Sequence, residues 1–346
     1  MSLFAGICVL ALAGASASDP ARQSRKGAYA GKKILMVCSY HLGYQGNDDK
    51  VKGVRMVLAE TGADLKIFYM DTKRNDSEEY GRQAGIKAKA LVDEYKPDVV
   101  IAADDNAQKY LVVPFLKNTG IPVVFCGINW DASMYGYPCK NVTGMVEVEM
   151  IEELRILLLP HARGARVGFL GGDVETERKD AEYINRQFFN RTMKIVLVKT
   201  MEEFKIQFLK IQKEVDILYF NNCAGIENFD PTAADAFLVA NTRIPTGSNQ
   251  PGMERYVAVL IEKSLEEHGI YAARTALKIL DGARPADLPL EKNSHSKIVV
   301  NLKIAKPAGI VFPLSVLKVA HVIGQEAYGS GAIPKATPGI KPEKPD

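Results

Sequence analysis

Two unbroken apolar runs, "VVIAA" (99–103) and "PVVFCGI" (122–128), restrict this chain more than any other feature. A strand with one wet face alternates apolar and polar residues, whereas a strand covered on both faces is apolar throughout, as in parallel sheets flanked by helices. Further short runs rich in β-branched residues occur at 32–40, 64–72 and 142–147, and helical patterns fill 48–62, 77–95 and 105–118. The alternation is that of parallel α/β architecture.

A helical stretch at 149–159 is stopped by Pro160, after which the alternation repeats. Strands are expected at 165–172, 194–200, 216–222 and 243–249, with helices near 174–191, 201–214, 231–241 and 264–281. Residues 296–313 add a strand and a turn, and "LSVLKVAHVIGQEA" a last helix. The expected fold class is α/β: two doubly wound parallel-sheet lobes with a hinge and an interlobe cleft. Lobe 1 spans 32–148 with a return of about 296–326, and lobe 2 spans 149–295. A chain of 346 residues, 47% of them hydrophobic, is long enough for two cores.

The net charge of +3 is carried by dispersed Lys and Arg, without a basic stripe, which argues against a nucleic-acid partner. The apolar run at 3–13, followed by Ala15-Ser16-Ala17, fits a secretory signal over residues 1–17 and a periplasmic or otherwise extracytoplasmic location. That run is too short to span a bilayer. The segment 327–346, rich in Pro, Gly and Lys, is expected to be disordered. Cys38, Cys126, Cys139 and Cys223 show no CxxC spacing and no clustered histidines, so neither metal nor cofactor is expected. Cys126 and Cys139 are candidates for pairing in an oxidising compartment, against the commoner outcome of buried free thiols.

Ligands of open parallel sheets bind beyond the carboxyl ends of the strands. In the first half those ends carry Ser39, Tyr40, His41 and Tyr44, then Asp71 and Thr72, then Asp104, Asp105 and Asn106, and finally Asn129 and Trp130. In the second half they carry Gly171, Gly172, Asp173 and Thr176, then Asn221 and Asn222, then Ser248 and Asn249. Asp104 and Asp105 divide between capping the following helix and engaging a cationic or donor group of a ligand. Asn129, Ser248 and Asn249 are expected as neutral partners, Tyr40, Tyr44 and the sole tryptophan, Trp130, as apolar walls. Gly171, Gly172 and Thr176 are expected to present donors to an anionic end. No GxSxG or HExxH motif is present, and His41 is the one histidine of five near these ends, so no catalytic residue is assigned.

The strings "SYHLGYQ", "FYMDTKR", "KPDVVIAADDNA", "PVVFCGIN", "NVTGM" and "AARTALKILDGARPADLP…VVNLKIAKPAGI" resemble the ABC-transporter substrate-binding proteins of the uncharacterised periplasmic class, over roughly residues 32–325. That resemblance implies a type I periplasmic-binding-protein-like fold and an extracytoplasmic protein without enzymatic activity. Such a protein captures a small polar or amphipathic organic molecule, an amino acid or derivative among the candidates, and hands it to an ABC permease in the cytoplasmic membrane. Some members of the family bind aromatic amino acids, and related domains are inputs of sensor kinases. A sensory role beside a membrane receptor kinase and a two-lobed α/β enzyme are the alternatives, and a monomer is expected.

Overall fold

The computed structural model describes residues 26–324, so the expected signal segment and the C-terminal tail lie outside the described residues. Within them the chain forms two compact units, residues 26–151 with 261–297 and residues 152–260 with 298–324.

In the first unit, strands β1 (Lys33–Cys38), β2 (Asp64–Tyr69), β3 (Val99–Ala103), β4 (Val123–Asn129) and β5 (Val142–Glu147) alternate with helices α1 (Gln45–Leu58), α2 (Glu78–Tyr95) and α3 (Asp104–Ala107). Helix α3 continues as a π-helical stretch, Gln108–Leu116. Helix α2 starts where Ser77 accepts the amide of Tyr80 and ends where Lys96 turns left-handed at φ 51°. The strands pair in parallel in the order β5-β4-β3-β1-β2, and every residue of β3 is buried, as its uninterrupted apolar sequence requires.

The second unit carries helix α4 (Ile151–Leu158), strands β6 (Val167–Gly172), β7 (Lys194–Val198), β8 (Ile217–Phe220) and β9 (Thr246–Ser248), and helices α5 (Glu175–Phe188), α6 (Met201–Ile211) and α7 (Pro231–Asn241). Asp230 caps α7 by accepting the amides of Thr232 and Ala233, with Pro231 at the first helical position. Strand β10 (Val259–Lys263) then returns the chain to the first unit. There α8 (Leu265–Leu280) is capped by Ser264, which accepts the amide of Glu267. Strand β11 (Glu291–Lys292) joins the edge of the first sheet beside β5. Strand β12 (Ser296–Asn301) leads back to the second sheet, followed by α9 (Leu302–Ala305), α10 (Leu314–Leu317) and β13 (His321–Ile323). The second sheet runs β13-β12-β10-β9-β8-β6-β7.

The late chain differs from expectation. Residues 261–295, expected in the second lobe, belong to the first unit, and residues 298–324, expected in the first, belong to the second. The reason is coverage. One face of the first sheet is closed by Ala84, Ala88 and Val92 of α2 with Leu111 and Leu116. The other face needs Val51, Val54 and Leu58 of α1 together with Ala272, Ala273, Ala276 and Leu277 of α8. Strand β10 was not anticipated, and the C-terminal segment forms a single turn of helix and a strand paired with β12 in place of a long helix. Cys38, Cys126, Cys139 and Cys223 are all free thiols, so Cys126 and Cys139 do not pair.

Candidate functional site

In the first unit the adjacent acids at the end of β3 point to different environments. Asp104, in the left-handed region at φ 68°, is buried and bonded to the ammonium of Lys50. Asp105 faces outward. Its Oδ2 accepts the side-chain amide of Asn129 at 2.8 Å, and its Oδ1 accepts the hydroxyl of Tyr135 at 2.8 Å. Neither acid caps the helix that follows, because both lie inside it and the capping position is Ala103, whose side chain accepts nothing. The amide of Ala107 is instead met by the hydroxyl of Ser39 from the end of β1, at 2.8 Å.

Ser39, Thr72 and Asn106 fasten the loops to one another. The Ser39 hydroxyl donates to Ala103 O at 2.6 Å, Thr72 donates to Ser39 O at 2.6 Å, and the Asn106 amide donates to Thr72 Oγ1 at 2.8 Å. Tyr40 and Tyr44 meet edge to face with ring centroids 5.0 Å apart, and Lys73 lies over both rings. His41 stands 5.9 Å from the Tyr44 ring, with its Nδ1 3.6 Å from Asp71, which Arg74 holds bidentately. Trp130 is half-buried, sits left-handed at φ 63°, and donates its backbone N–H to Glu147 O at 2.9 Å. Asp105, Asn129 and Tyr135 thus form one hydrogen-bonded cluster at the strand ends. Burial, reinforced by the Asp105 charge, pushes the Tyr135 phenol well above its ordinary range, so it stays a donor to that carboxylate.

Beneath this edge lies a buried set of charges. Lys50 bonds Asp104 and stands 3.6 Å from Glu147, while Lys263 donates to Glu147 at 2.8 Å and also bonds Glu149. Burial lifts the Asp104 carboxyl to about 6 although Lys50 pulls it down, with Glu147 adding to the rise. Burial also opposes ionisation of Glu147, but Lys50 and Lys263 outweigh it and lower that carboxyl to about 2. Two carboxylates share one ammonium, and the one with a second lysine keeps its charge to the lower pH. Lys50 was missed in the sequence although its signal was there, since it lies on the same helical stripe as Asn47, Val51, Val54 and Leu58. Tyr135 had no local signal.

In the second unit the residues expected to touch ligand are largely turned into the fold. Gly171 and Gly172 serve close approach and offer no free donor pair beyond them. A Cβ on Gly172 would lie 2.0 Å from Ala224 O and one on Gly171 2.5 Å from Glu177 Oε2. The next two amides are used, Asp173 N by Val198 O and Val174 N by Gly172 O, so an anion cradle does not form there. Thr176 is exposed on α5, and Asp173 is held by Arg178. Buried Asn221 donates to Glu177 at 3.0 Å, buried Ser248 donates to Asn221 O at 2.9 Å, and Asn222 accepts the amide of Ala224 at 3.0 Å in a turn. Asn249 is buried beside Ser248.

Glu177, another residue without a sequence signal, is raised to about 7 by burial, with Asn221 opposing and Asp180 adding to the rise. A carboxyl whose folded value exceeds its unfolded one weakens the fold as pH climbs between the two, here from about 4.5 to about 7. Glu177→Gln keeps an acceptor for Asn221 and removes the charge. After discounting for solvent reaching the group, we expect it to stabilise the second unit by about 2 kcal/mol at pH 8. The gain should shrink as pH falls through that window and vanish by about pH 4, below the unfolded value, as read by urea unfolding at both pH values. An equal gain at both would show that the Glu177 charge is not the cause.

A family model described as ABC transporter substrate binding protein matches residues 39–323. No curated protein matches the sequence significantly. Among solved structures, the ligand-free, open form of CD0873, a substrate binding protein with adhesive properties from Clostridium difficile, superposes with a TM-score of 0.62 at 17% identity, covering 85% of this chain and 100% of its own. An ABC domain from Streptococcus pneumonia in complex with L-Trp gives 0.52 at 20% identity, covering 85% and 100%. A conserved domain protein from Vibrio cholerae gives 0.52 at 20%, covering 84% and 99%. These likenesses establish the fold, that of the type I periplasmic binding proteins.

Proposed function

The chain belongs to the ABC transporter substrate-binding protein family, and on that premise we propose that it captures a small amphipathic organic solute outside the cytoplasmic membrane and delivers it to an ABC permease. The ligand class that best suits the strand-end residues is an amino acid or derivative with an aromatic or apolar side chain. The observation that carries this reading is the Asp105 carboxylate, oriented by Asn129 and Tyr135 on the same set of strand ends as Tyr40, Tyr44 and Trp130. A carboxylate held on both oxygens loses little freedom when an ammonium approaches, and aromatic rings bury an apolar side chain at low entropic cost. The relative from Streptococcus pneumonia was solved with L-Trp, which supports the same class. The protein acts by population shift, the liganded form being the one its membrane partner recognises.

The test is mass spectrometry of small molecules released from natively purified protein, followed by calorimetry with those molecules and with the aromatic amino acids. We expect one amine-bearing ligand, and about a 30-fold weaker affinity for Asp105→Ala, the effect of losing a charge-assisted bond. A ligand lacking any cationic or donor group, or an affinity unchanged in Asp105→Ala, would refute the assignment of Asp105. Loss of a transcriptional response without loss of uptake in a deletion strain would favour the sensory role over transport.

A further inference from the structure

Lys50 is an unusual residue to bury. Its side chain is 3% exposed on the inner face of α1, and the protein makes room for it. Gly127 sits at φ 80°, where a Cβ would lie 2.6 Å from Lys50 Nζ and 2.8 Å from Asp104 Oδ1, and the β4–β5 register shifts at this point, between Cys126 and Ile128. A bulge of this kind re-aims the residues that follow it. Those residues are Asn129 and Trp130. Asn129 stands opposite Glu147 in the ladder, and Trp130 N–H bonds Glu147 O. One ammonium therefore lies beneath both limbs of the strand-end edge, Asp104 next to Asp105 on one side and Glu147 next to Asn129 and Trp130 on the other.

The charge string continues to the roots of the segments that connect the units. Glu147 passes to Lys263, at the end of β10, and Lys263 to Glu149, ahead of α4. At the third connection, Asn293 bonds both the N–H and the carbonyl of Val148, and Glu267 of α8 accepts the amides of Ser294 and His295. Each of these contacts lies within the first unit.

We propose that Lys50 is a positioning residue that touches no ligand: its buried ammonium holds the Asp104 and Glu147 strand ends in register, sets the geometry of the Asp105, Asn129 and Trp130 edge, and ties that edge to the three connecting segments. The consequence for binding rests on the function proposed above. The positioning itself does not, and it is read without ligand.

The groups facing Asp104 are Lys50 from α1, Cys38 and Tyr40 from the end of β1, Asp105 from α3, Cys126 from β4 and Glu147 from β5, with His268 of α8 and Lys263 behind Lys50 and Glu147. Burial pushes the Cys126 thiol to about 12 and holds His268 down to about 4. Asp104, with one carboxylate oxygen lacking a hydrogen-bond partner, is the member whose proton exchanges near pH 6. Protonating it releases Lys50 toward Glu147 and alters the edge.

Trp130, the chain's single tryptophan, reports that change directly. Its emission in the full chain, followed from pH 4.5 to 8 without ligand, should titrate with a midpoint near 6 in the wild type and lose that transition in Asp104→Asn. In Lys50→Met, Asp104 has lost its counter-ion, so the midpoint should rise by about one unit or more. The double variant Lys50→Met with Asp104→Asn should be flat. Emission flat in the wild type, or a transition that survives Asp104→Asn, overturns the proposal. If Lys50→Met fails to fold by circular dichroism, the near-isosteric Asp104→Asn decides alone. Calorimetry with L-phenylalanine as probe reads the consequence: affinity at pH 7 should fall about tenfold in Lys50→Met, the effect of a small misplacement of the binding groups. If the wild type does not bind L-phenylalanine, the ligand class proposed above fails, and the emission titration still decides the role of Lys50.

Discussion

Gly269→Val should destabilise the first unit by about 4 kcal/mol or more, lowering its melting temperature by roughly 10 °C. Helices α1 and α8 cross backbone to backbone. A Cβ at 269 would lie 1.9 Å from Lys50 O and 3.0 Å from Val54 N, and across the crossing a Cβ on Gly53 would lie 2.3 Å from Glu266 O. No side chain can swing aside, so the helices must part. Parting them withdraws Val54 and Ala273 from the sheet and lifts Lys50 away from its two carboxylates. Thermal unfolding by circular dichroism measures the effect, and a melting temperature within a few degrees of wild type would show that the two helices tolerate separation.

The second unit has its own weak point. Phe204 of α6 is fully buried, its ring stacked 5.0 Å from Phe220 and within 6.2 Å of Phe208, Phe229 and Phe237. Phe204→Ala removes the ring that all four share and should cost about 4 kcal/mol, by lost burial, lost edge contacts and the cavity left behind. Urea unfolding gives the number. A cost under about 1 kcal/mol would mean that the surrounding rings collapse into the space. Phe208→Ala, equally buried and with ring contacts to Phe204 and Phe237, serves as the comparison.

The order of strands and helices in both halves was legible because each apolar run is local, and β3 and β4 announce two-sided burial residue by residue. Membership of the late segments was not. Strand β10 meets β9 through two residue pairs, and α8 belongs to the first unit because α1 needs a partner some 200 residues distant in sequence, a relation no local pattern encodes. The candidate site was half legible. Asp105, Asn129, Tyr40, Tyr44 and Trp130 stand at strand ends as the topology rule demands. The rule locates an end of a strand but not the direction of a side chain there. Asp104 turns inward at positive φ, Gly171 and Gly172 give room to Glu177 and Ala224, and Asn221 and Ser248 face the interior. Tyr135 reaches Asp105 from a turn thirty residues later, which only the fold reveals.

The late arrival of α8 also governs when this protein can fold. Residues 26–151 emerge from the ribosome with one face of their sheet covered by α1 alone, and the helix that completes the cover follows only after the whole of β6 to β10 has been made. The first unit therefore cannot complete its core early in synthesis, since its decisive contacts are among the most distant in sequence. The segment synthesised first thus keeps part of its sheet open longest, and α8, made some 200 residues after α1, is the latch that shuts it.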